Sequence, residues 1–290
     1  MSLSSRSPRS VKYSLEIRLK KSLKAEEPFI RRLVVALNEL VAFPFPPLVQ
    51  SGSVRRDGLP SEMTPEEVAS FFADEEHTSV NLCSSNAEDG SQFWCNFSRT
   101  HLPWFALRIG GPSPEILKMT SVLESLIPDS SSLLYLNATC LTYTFWQTMH
   151  IIRQYEHLYG SSAAFRRLTF GVPAMNQMQL DISQNPGRAI RLADENFSIA
   201  SEMWLGPSFW DFVPCTKQEV LTSDVFIEKR DTPNYLYLKS WPHPFTRPDG
   251  EQGRVQQKLW RLLYHQDCEW PPCSGGISET PIGGPPELMP

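Results

Sequence analysis

Apolar and polar residues alternate along the first segment of the chain, VKYSLEIRLK, which spans residues 11–20. A period of two predicts a β-strand with one buried side and one solvent-facing side. Short apolar runs predict three further strands at 77–84, 92–98 and 104–109. The first two of these are separated by a segment containing Asp89-Gly90, which predicts a β-hairpin.

Helical spacing of apolar residues appears between and after these strands. It predicts a helix at about 26–41, which the Pro-rich segment 43–47 ends, and another that starts at Ser113-Pro114 and continues to Ile127. Thr64-Pro65-Glu66-Glu67 matches a capping box and predicts a short helix through Phe72. The N-terminal half therefore combines strands and amphipathic helices.

The second half repeats this combination after a break at 128–132. A strand is predicted at 133–136, and 142–159 fits a helix better than the strand that its first alternating residues also allow. Residues 225–231 and 235–241 flank Thr232-Pro233-Asn234 and predict a hairpin, and short strands are predicted at 165–170 and 188–193. A last helix is predicted after Asp249, with the acid as its N-cap.

These elements together predict an α+β fold with a mixed or antiparallel sheet, or sheets, and flanking helices. Both halves finish with a hairpin, a Pro/Gly break and a helix, which indicates either two similar lobes or an ordinary alternation of elements. We expect four regions: a disordered tail at 1–10, an N-terminal α+β lobe at 11–127, an aromatic-rich α+β lobe at 128–264, and a disordered Pro/Gly-rich tail at 265–290.

Composition narrows the class of protein. The 290 residues are 41% hydrophobic and 20% charged, which is ordinary for a globular protein with a sizeable core. The net charge of −5 argues against a dedicated nucleic-acid or anionic-membrane binder. No apolar run is long enough for a membrane span, and the N-terminus has no apolar signal sequence, so we expect a cytoplasmic protein.

The six cysteines are scattered, and reduced thiols are the default expectation in a cytoplasmic protein. His265, Cys268 and Cys273 are the best candidates for a metal site, because thiolate and imidazole are zinc ligands. Their spacing matches no established zinc motif, so we predict no metal and no other cofactor.

Aromatic residues concentrate in WLGPSFWDF, residues 204–212. They indicate core packing, a groove that binds a partner, or a site that stacks a small molecule. Gly206-Pro207 predicts a tight turn that can present Trp204 or Trp210 to a partner. With the neighbouring acids Asp194, Glu195 and Glu228, these two tryptophans are the predicted partner-binding residues.

The sequence contains no established catalytic signature. GxSxG, GxGxxG and GxxxxGK[ST] are all missing, which argues against the common hydrolase, dinucleotide and P-loop enzymes. We therefore name no catalytic residue and expect a protein that is not an enzyme. A hydrolase or nuclease whose site is assembled in space from distant residues is the alternative.

Three segments, VKYSLEIRL, WLGPSFWDF and YLYLKSWPHPF, lie in an arrangement over 11–264 that resembles predicted immunity proteins of bacterial polymorphic toxin systems. This resemblance implies a protein that neutralises a toxin domain by binding it, without chemistry of its own. It assigns no functional residue to any position. A protein partner, with no nucleic acid and no membrane, is the corresponding expectation.

Overall fold

The computed structural model describes residues 13–19, 49–50, 79–85, 92–99, 105–111, 133–148, 150–153, 167–170, 177–183, 185–192 and 195–266, with single positions at Arg32, Leu117, Thr120, Ser121, Glu124 and Glu156. The predicted helix at 64–72 and nearly all of the one at 26–41 lie outside these residues.

Nine strands form one sheet in which every neighbouring pair is antiparallel. The strands are β1 Tyr13–Leu19, β2 Val49–Gln50, β3 Ser79–Ser85, β4 Gln92–Arg99, β5 Phe105–Gly111, β6 Leu133–Cys140, β11 Glu202–Leu205, β12 Glu228–Asp231 and β13 Leu236–Lys239. From one edge of the sheet to the other the order is β12, β13, β11, β6, β1, β5, β4, β3, β2. The predicted α+β fold with an antiparallel sheet is confirmed.

Strand β1 lies at the centre of the sheet, and this changes the environment of its polar side. Leu15 and Ile17 are buried on one side, as the alternation predicts. Ser14 and Arg18 on the other side are also buried, so the prediction of a solvent-facing side is wrong for most of it. The guanidinium of Arg18 donates to the carboxylate of Glu16 at 3.0 Å, which satisfies charges that burial would otherwise leave unpaired.

The C-terminal half contributes β6, β11, β13 and β12, and a helix covers one side of these strands. Helix α3, Gly250–Tyr264, places buried Leu259, Trp260 and Leu263 against the side of the sheet that carries Met203 and Leu238. Asp249 is the N-cap residue by position, as predicted, but its carboxylate accepts from Arg247 rather than from the helix.

Two shorter helices precede α3. Helix α1, Leu141–Thr148, begins directly after β6, and α2, Lys217–Thr222, has a complete capping box made by Thr216 and Glu219. The single helix predicted at 142–159 is interrupted, because residues 150 and 151 are not helical although 152, 153 and 156 are. The carbonyl of His150 instead accepts from the N–H of Leu180 at 2.8 Å.

Two small hairpins lie outside the main sheet. They are formed by β7 Arg167–Phe170 with β8 Gln177–Leu180, and by β9 Ala189–Leu192 with β10 Glu195–Ser198. Gly187, just before β9, approaches α1 so closely that a Cβ there would lie 2.6 Å from the ring of Tyr143. Its N–H donates to the Gln147 side chain at 3.1 Å, so this segment is held against α1.

The pairing of β1 with β6 joins strands from both predicted lobes into one sheet. The division into lobes at residue 127 stays a prediction. The predicted tails lie outside the described residues, apart from His265 and Gln266. No helix in the described part of the chain is long and apolar enough to cross a bilayer.

Candidate functional site

The turn after β11 is fixed by a close approach of two backbones. The N–H of Gly206 donates to the carbonyl of Leu134 in β6 at 2.9 Å. A Cβ at Gly206 would collide with the carbonyl of Leu133, so any larger residue would push the turn away from the sheet. Pro207 then begins a 3-10 helix, Pro207–Asp211, closed by a bond from the N–H of Phe209 to the Gly206 carbonyl at 3.0 Å.

Aromatic rings connect this 3-10 helix to the interior. Phe209 is 2% exposed and packs edge-on against Phe197 at 5.6 Å and against Trp210 at 5.3 Å, measured between ring centroids. Phe197 also contacts Tyr135 at 5.5 Å and Phe212 at 5.8 Å. We call Tyr135, Phe197, Phe209, Trp210 and Phe212 the aromatic cluster. Each such pair contributes about 0.5–1.5 kcal/mol beyond the burial of its area.

The outer end of the aromatic cluster reaches the protein surface. Trp210 and Phe212 are half-buried, and Pro207 and Asp211 are exposed. We call these four residues the turn surface. A rigid tryptophan beside a carboxylate, held by buried rings behind it, has the features of a residue that anchors a protein–protein contact.

Strand β10 brings one of the predicted acidic residues, Glu195, towards the same region. Phe197 of the aromatic cluster belongs to β10, and Glu195 is the first residue of that strand. Asp194 lies outside the described residues. The role of both acids in binding a partner stays a prediction.

Glu228 lies on a different part of the molecule. It is exposed in β12, the last strand of the sheet, whereas the 3-10 helix packs next to β6. Three strand intervals separate β12 from β6, roughly 14 Å at the usual spacing between strands. The structure therefore does not bring Glu228 together with Trp210.

Charged groups hold β12 against the rest of the protein. The guanidinium of Arg230 lies over the ring of Tyr237 at 4.1 Å, donates to Glu124 at 2.6 Å and pairs with Glu228 at 3.2 Å. Tyr235 also donates to Glu124, at 2.8 Å. Burial, and then this hydrogen bond, raise the pKa of Tyr235 to about 12.

Trp204 is in the interior and not at the surface. It is 1% exposed, and its ring packs against the ring of Tyr237 with 4.9 Å between centroids and an angle of 54° between the ring planes. Its indole N–H has no hydrogen-bond partner among the residues that the structure describes. The hydroxyl of Tyr237 donates to Glu202 at 2.7 Å, and burial together with that carboxylate raises the pKa of Tyr237. Trp204 therefore contributes to core packing, and its role in binding a partner stays a prediction.

Of the three candidate metal ligands, the structure describes only His265. His265 is exposed at the end of α3, where it adopts a left-handed conformation with φ of 51°, and Cys268 and Cys273 lie outside the described residues. Within the described residues no three His, Cys, Asp or Glu side chains lie close enough to hold a metal ion.

Burial, with the nearby carboxylate of Glu219 as a second cause, raises the pKa of the Cys215 thiol to about 11.

Tyr135 and Phe197 belong to the candidate site, although the sequence does not indicate them. Both are far from Trp210 along the chain, and each reads locally as an ordinary strand residue. The hydroxyl of Tyr135 donates to the backbone carbonyl of Asn196 at 3.1 Å and to Glu16 at 3.2 Å, which ties β10 to the centre of the sheet. No local sequence signal predicts this long-range contact.

Comparisons with known proteins give little further information. No protein-family model matches the chain, and no curated protein matches it. Among solved structures, the Pseudomonas aeruginosa T6SS protein PA0821 is similar with a TM-score of 0.46 and 10% identity, over 94% of this chain and 80% of that one. The di-domain ARO/CYC BexL from the BE-7585A biosynthetic pathway has a TM-score of 0.18 and 8% identity, over 87% and 93% of the two chains. At these TM-scores neither similarity indicates a function.

Proposed function

We propose that this chain is a non-catalytic protein that binds another protein through the turn surface. The observation that carries the proposal is the continuous contact of aromatic rings from buried Tyr135 to half-buried Trp210. The ring of Phe209, 5.3 Å from that of Trp210, restricts the side chain of Trp210 in the free protein, so less conformational entropy is left to lose on binding. A partner that covers the indole therefore gains contact area at low entropic cost.

The more specific form of the proposal is an immunity protein that neutralises a cognate toxin domain. A net charge of −5 favours association with a basic partner, because the electrostatic attraction speeds the encounter. Asp211 supplies an exposed carboxylate on the turn surface, and Asp194 and Glu195 are close to Phe197 in sequence. The partner's binding face should accordingly combine an apolar pocket with basic residues around it.

The test begins with affinity purification of the tagged chain from its host, followed by mass spectrometry. The captured protein is then purified, and its Kd is measured against the wild type and Trp210→Ala. We expect Trp210→Ala to weaken binding by at least about 2 kcal/mol, roughly thirtyfold, as for the central residues of interfaces. Trp241→Ala is the matched control, because Trp241 is also half-buried against the same core.

The outcomes distinguish binding of a partner at the turn surface from the immunity function. Equal losses for both tryptophan variants, or none for Trp210→Ala, would contradict a contact at the turn surface. Charge reversal of Asp194 and Glu195 to lysine should lower the association rate more than it raises the dissociation rate. For the immunity function, co-expression of the wild type must rescue cells from the captured protein's toxicity, and a non-toxic partner would contradict that function.

A further inference from the structure

We propose that the outer edge of β12 pairs with β12 of a second copy of this chain, in an antiparallel register centred on Arg230. The two sheets then continue as one across a two-fold axis, and both copies use the same residues. This inference goes beyond the proposed function, because β12 is a separate surface from the turn surface and the contact requires no other protein.

β12 is the last strand of the nine-stranded sheet, and all four of its residues are exposed. Its inner neighbour β13 is firmly packed, with Leu236, Tyr237 and Leu238 between 0 and 3% exposed. The edge is therefore already ordered by the strand beside it, which lowers the entropic cost of pairing with a further strand.

The hydrogen bonds to β13 show which backbone groups of β12 face outward. Thr232 donates its N–H to the carbonyl of Tyr235 at 3.0 Å, and inward and outward residues alternate from there along the strand. Lys229 and Asp231 accordingly direct their N–H and C=O groups towards the outer edge. Ile227 would be the next outward residue, but its N–H donates to the carbonyl of Lys239 at 2.7 Å.

This pattern limits the registers that a symmetric antiparallel pair can adopt. Outward residues of one copy must meet outward residues of the other, so the centre of symmetry is at residue 229, 230 or 231. Centring on Lys229 places Asp231 opposite Ile227, whose N–H is bonded inward. Centring on Asp231 places Lys229 opposite Pro233, which has no N–H. Centring on Arg230 pairs Lys229 with Asp231 on both sides of the axis and uses the outward groups of both residues.

The charges of the edge favour the same register. Charged side chains usually keep an edge strand from pairing. Here Lys229 and Asp231 carry opposite charges, and opposite charges directly across from each other stabilise a strand pair. Among the described residues, the ammonium of Lys229 contacts backbone carbonyls alone, those of Leu221 and Ser223 at 2.6 and 2.8 Å. Its charge is therefore not offset by a carboxylate among those residues and can attract Asp231 of the second copy.

Asp231 can accept this second contact. Its carboxylate pairs with Lys217 at 2.5 Å, and the side chain of Asp231 is still 44% exposed. A carboxylate has two oxygens with several acceptor positions. In the dimer, Asp231 would lie between Lys217 of its own chain and Lys229 of the second copy.

Arg230 meets its own copy at the axis, but its side chain is held away from that point. The guanidinium lies over the ring of Tyr237 in the inner strand β13, 4.1 Å from the centroid. It also pairs with the carboxylates of Glu124 at 2.6 Å and Glu228 at 3.2 Å. These contacts reduce the repulsion between the two copies of Arg230.

The ends of the strand add an apolar contact in this register. Ile227 is 63% exposed, the higher value of the two large apolar side chains at the surface of the described part of the chain. The register centred on Arg230 brings Ile227 opposite Pro233 of the second copy, which is also exposed. Pairing therefore removes apolar surface from water at both ends of the contact.

The first experiment is sedimentation of the purified full chain, alone and in reducing buffer, over a range of concentrations. We expect a monomer–dimer equilibrium with a Kd of about 10–100 µM, because a contact built on one short strand is small. Lys229→Glu places like charges opposite each other on both sides of the axis and should weaken the dimer at least about tenfold.

The matched control is the double variant that combines Lys229→Glu with Asp231→Lys. It exchanges the two charges, so opposite charges again face each other in the register centred on Arg230. We expect its dimerisation Kd to return to within about threefold of the wild-type value. Circular dichroism of each variant checks that the fold is unchanged.

Cross-linking tests the register itself. Arg230→Cys places two thiols opposite each other at the axis, and mild oxidation should join the two copies through that residue. Lys229→Cys is the control, because in this register its two copies are offset along the strands, beyond the reach of a disulfide. Mass spectrometry of the cross-linked peptides identifies the cysteines that react.

Three results would each overturn the proposal. They are a chain that stays monomeric up to about 0.3 mM, a dimer that Lys229→Glu does not weaken, and a double variant that does not recover. Cross-linking through residue 229 rather than 230 would likewise contradict the register. These measurements use the chain without a partner and leave Trp210 unchanged, so their failure is distinguishable from a failure of the proposed function.

Discussion

The turn surface and the edge strand β12 are both exposed parts of the C-terminal half, yet they are held by different forces. Behind the turn surface lies the aromatic cluster, with Phe209 and Phe197 each 2% exposed. β12 is fastened by ion pairs whose side chains are mostly about half exposed, such as Arg230 at 46%. Ring packing in the interior is insensitive to salt, whereas exposed ion pairs are screened by it. The turn surface is thus a part of the core that reaches solvent, and β12 is a peripheral strand.

The largest expected effect is a loss of stability when the aromatic cluster behind the turn surface is disrupted. Phe209→Ala removes a buried ring that contacts both Phe197 and Trp210, and should lower the free energy of unfolding by about 3–5 kcal/mol. Chemical denaturation monitored by tryptophan fluorescence and circular dichroism measures this loss. Ser208→Ala in the same turn is the control, because Ser208 is only half-buried, and should cost less than about 1 kcal/mol. Similar losses in the two variants would show that the cluster does not support the turn.

A second effect depends on pH and concerns the β12 side. The pKa of Tyr235 is about 12 in the folded protein against an ordinary value of 10, so folding favours the protonated hydroxyl. Its contribution to stability is therefore fully present below about pH 10 and is lost as the pH rises to about 12. The difference in unfolding free energy between the wild type and Tyr235→Phe should shrink across this interval. A difference that stays constant across it would contradict the raised pKa of Tyr235, whose first cause is burial and whose second is the hydrogen bond to Glu124.

The smallest expected effect concerns the ion pair between Arg230 and Glu124. A double-mutant cycle with Arg230→Gln and Glu124→Gln should give a coupling energy of about 0.5–1 kcal/mol, because both groups remain partly hydrated. The coupling should fall in about 1 M salt, where the screening length is short. If salt leaves the coupling energy unchanged, the ion pair is as insensitive to screening as the packing in the aromatic cluster. The contrast between the two regions would then be wrong.

Several elements follow from local patterns alone. The alternation in 11–20 predicts β1, the apolar runs predict β3, β4 and β5, and Thr232-Pro233-Asn234 predicts the hairpin of β12 and β13. Helix α3 begins immediately after Asp249, as expected. In each case the information lies within about ten neighbouring residues, where periodicity and turn chemistry operate.

The candidate binding site was predicted less completely than the fold. Trp210 lies at a surface turn, as the Gly206-Pro207 signal indicates, but Trp204 is buried and Glu228 belongs to the other surface. Strands β10 and β11 were not predicted, because each is only four residues long and shows no clear alternation of apolar and polar residues. Short strands of this kind are defined by the neighbours with which they pair, here β6 and β13 for β11.

By itself, the sequence determined the α+β class, the positions of the strongly periodic elements, and the concentration of aromatic residues near the turn after β11. Only the tertiary structure decided that β1 is central, so that its polar side is largely buried, and that β12 is an edge whose charges are bound inward. Only it brought Tyr135 and Phe197 behind Trp210. The physical reason is the range of the interactions. Hydrophobic periodicity and turn preferences act between near neighbours in the chain, whereas burial and strand order depend on contacts between residues far apart in sequence.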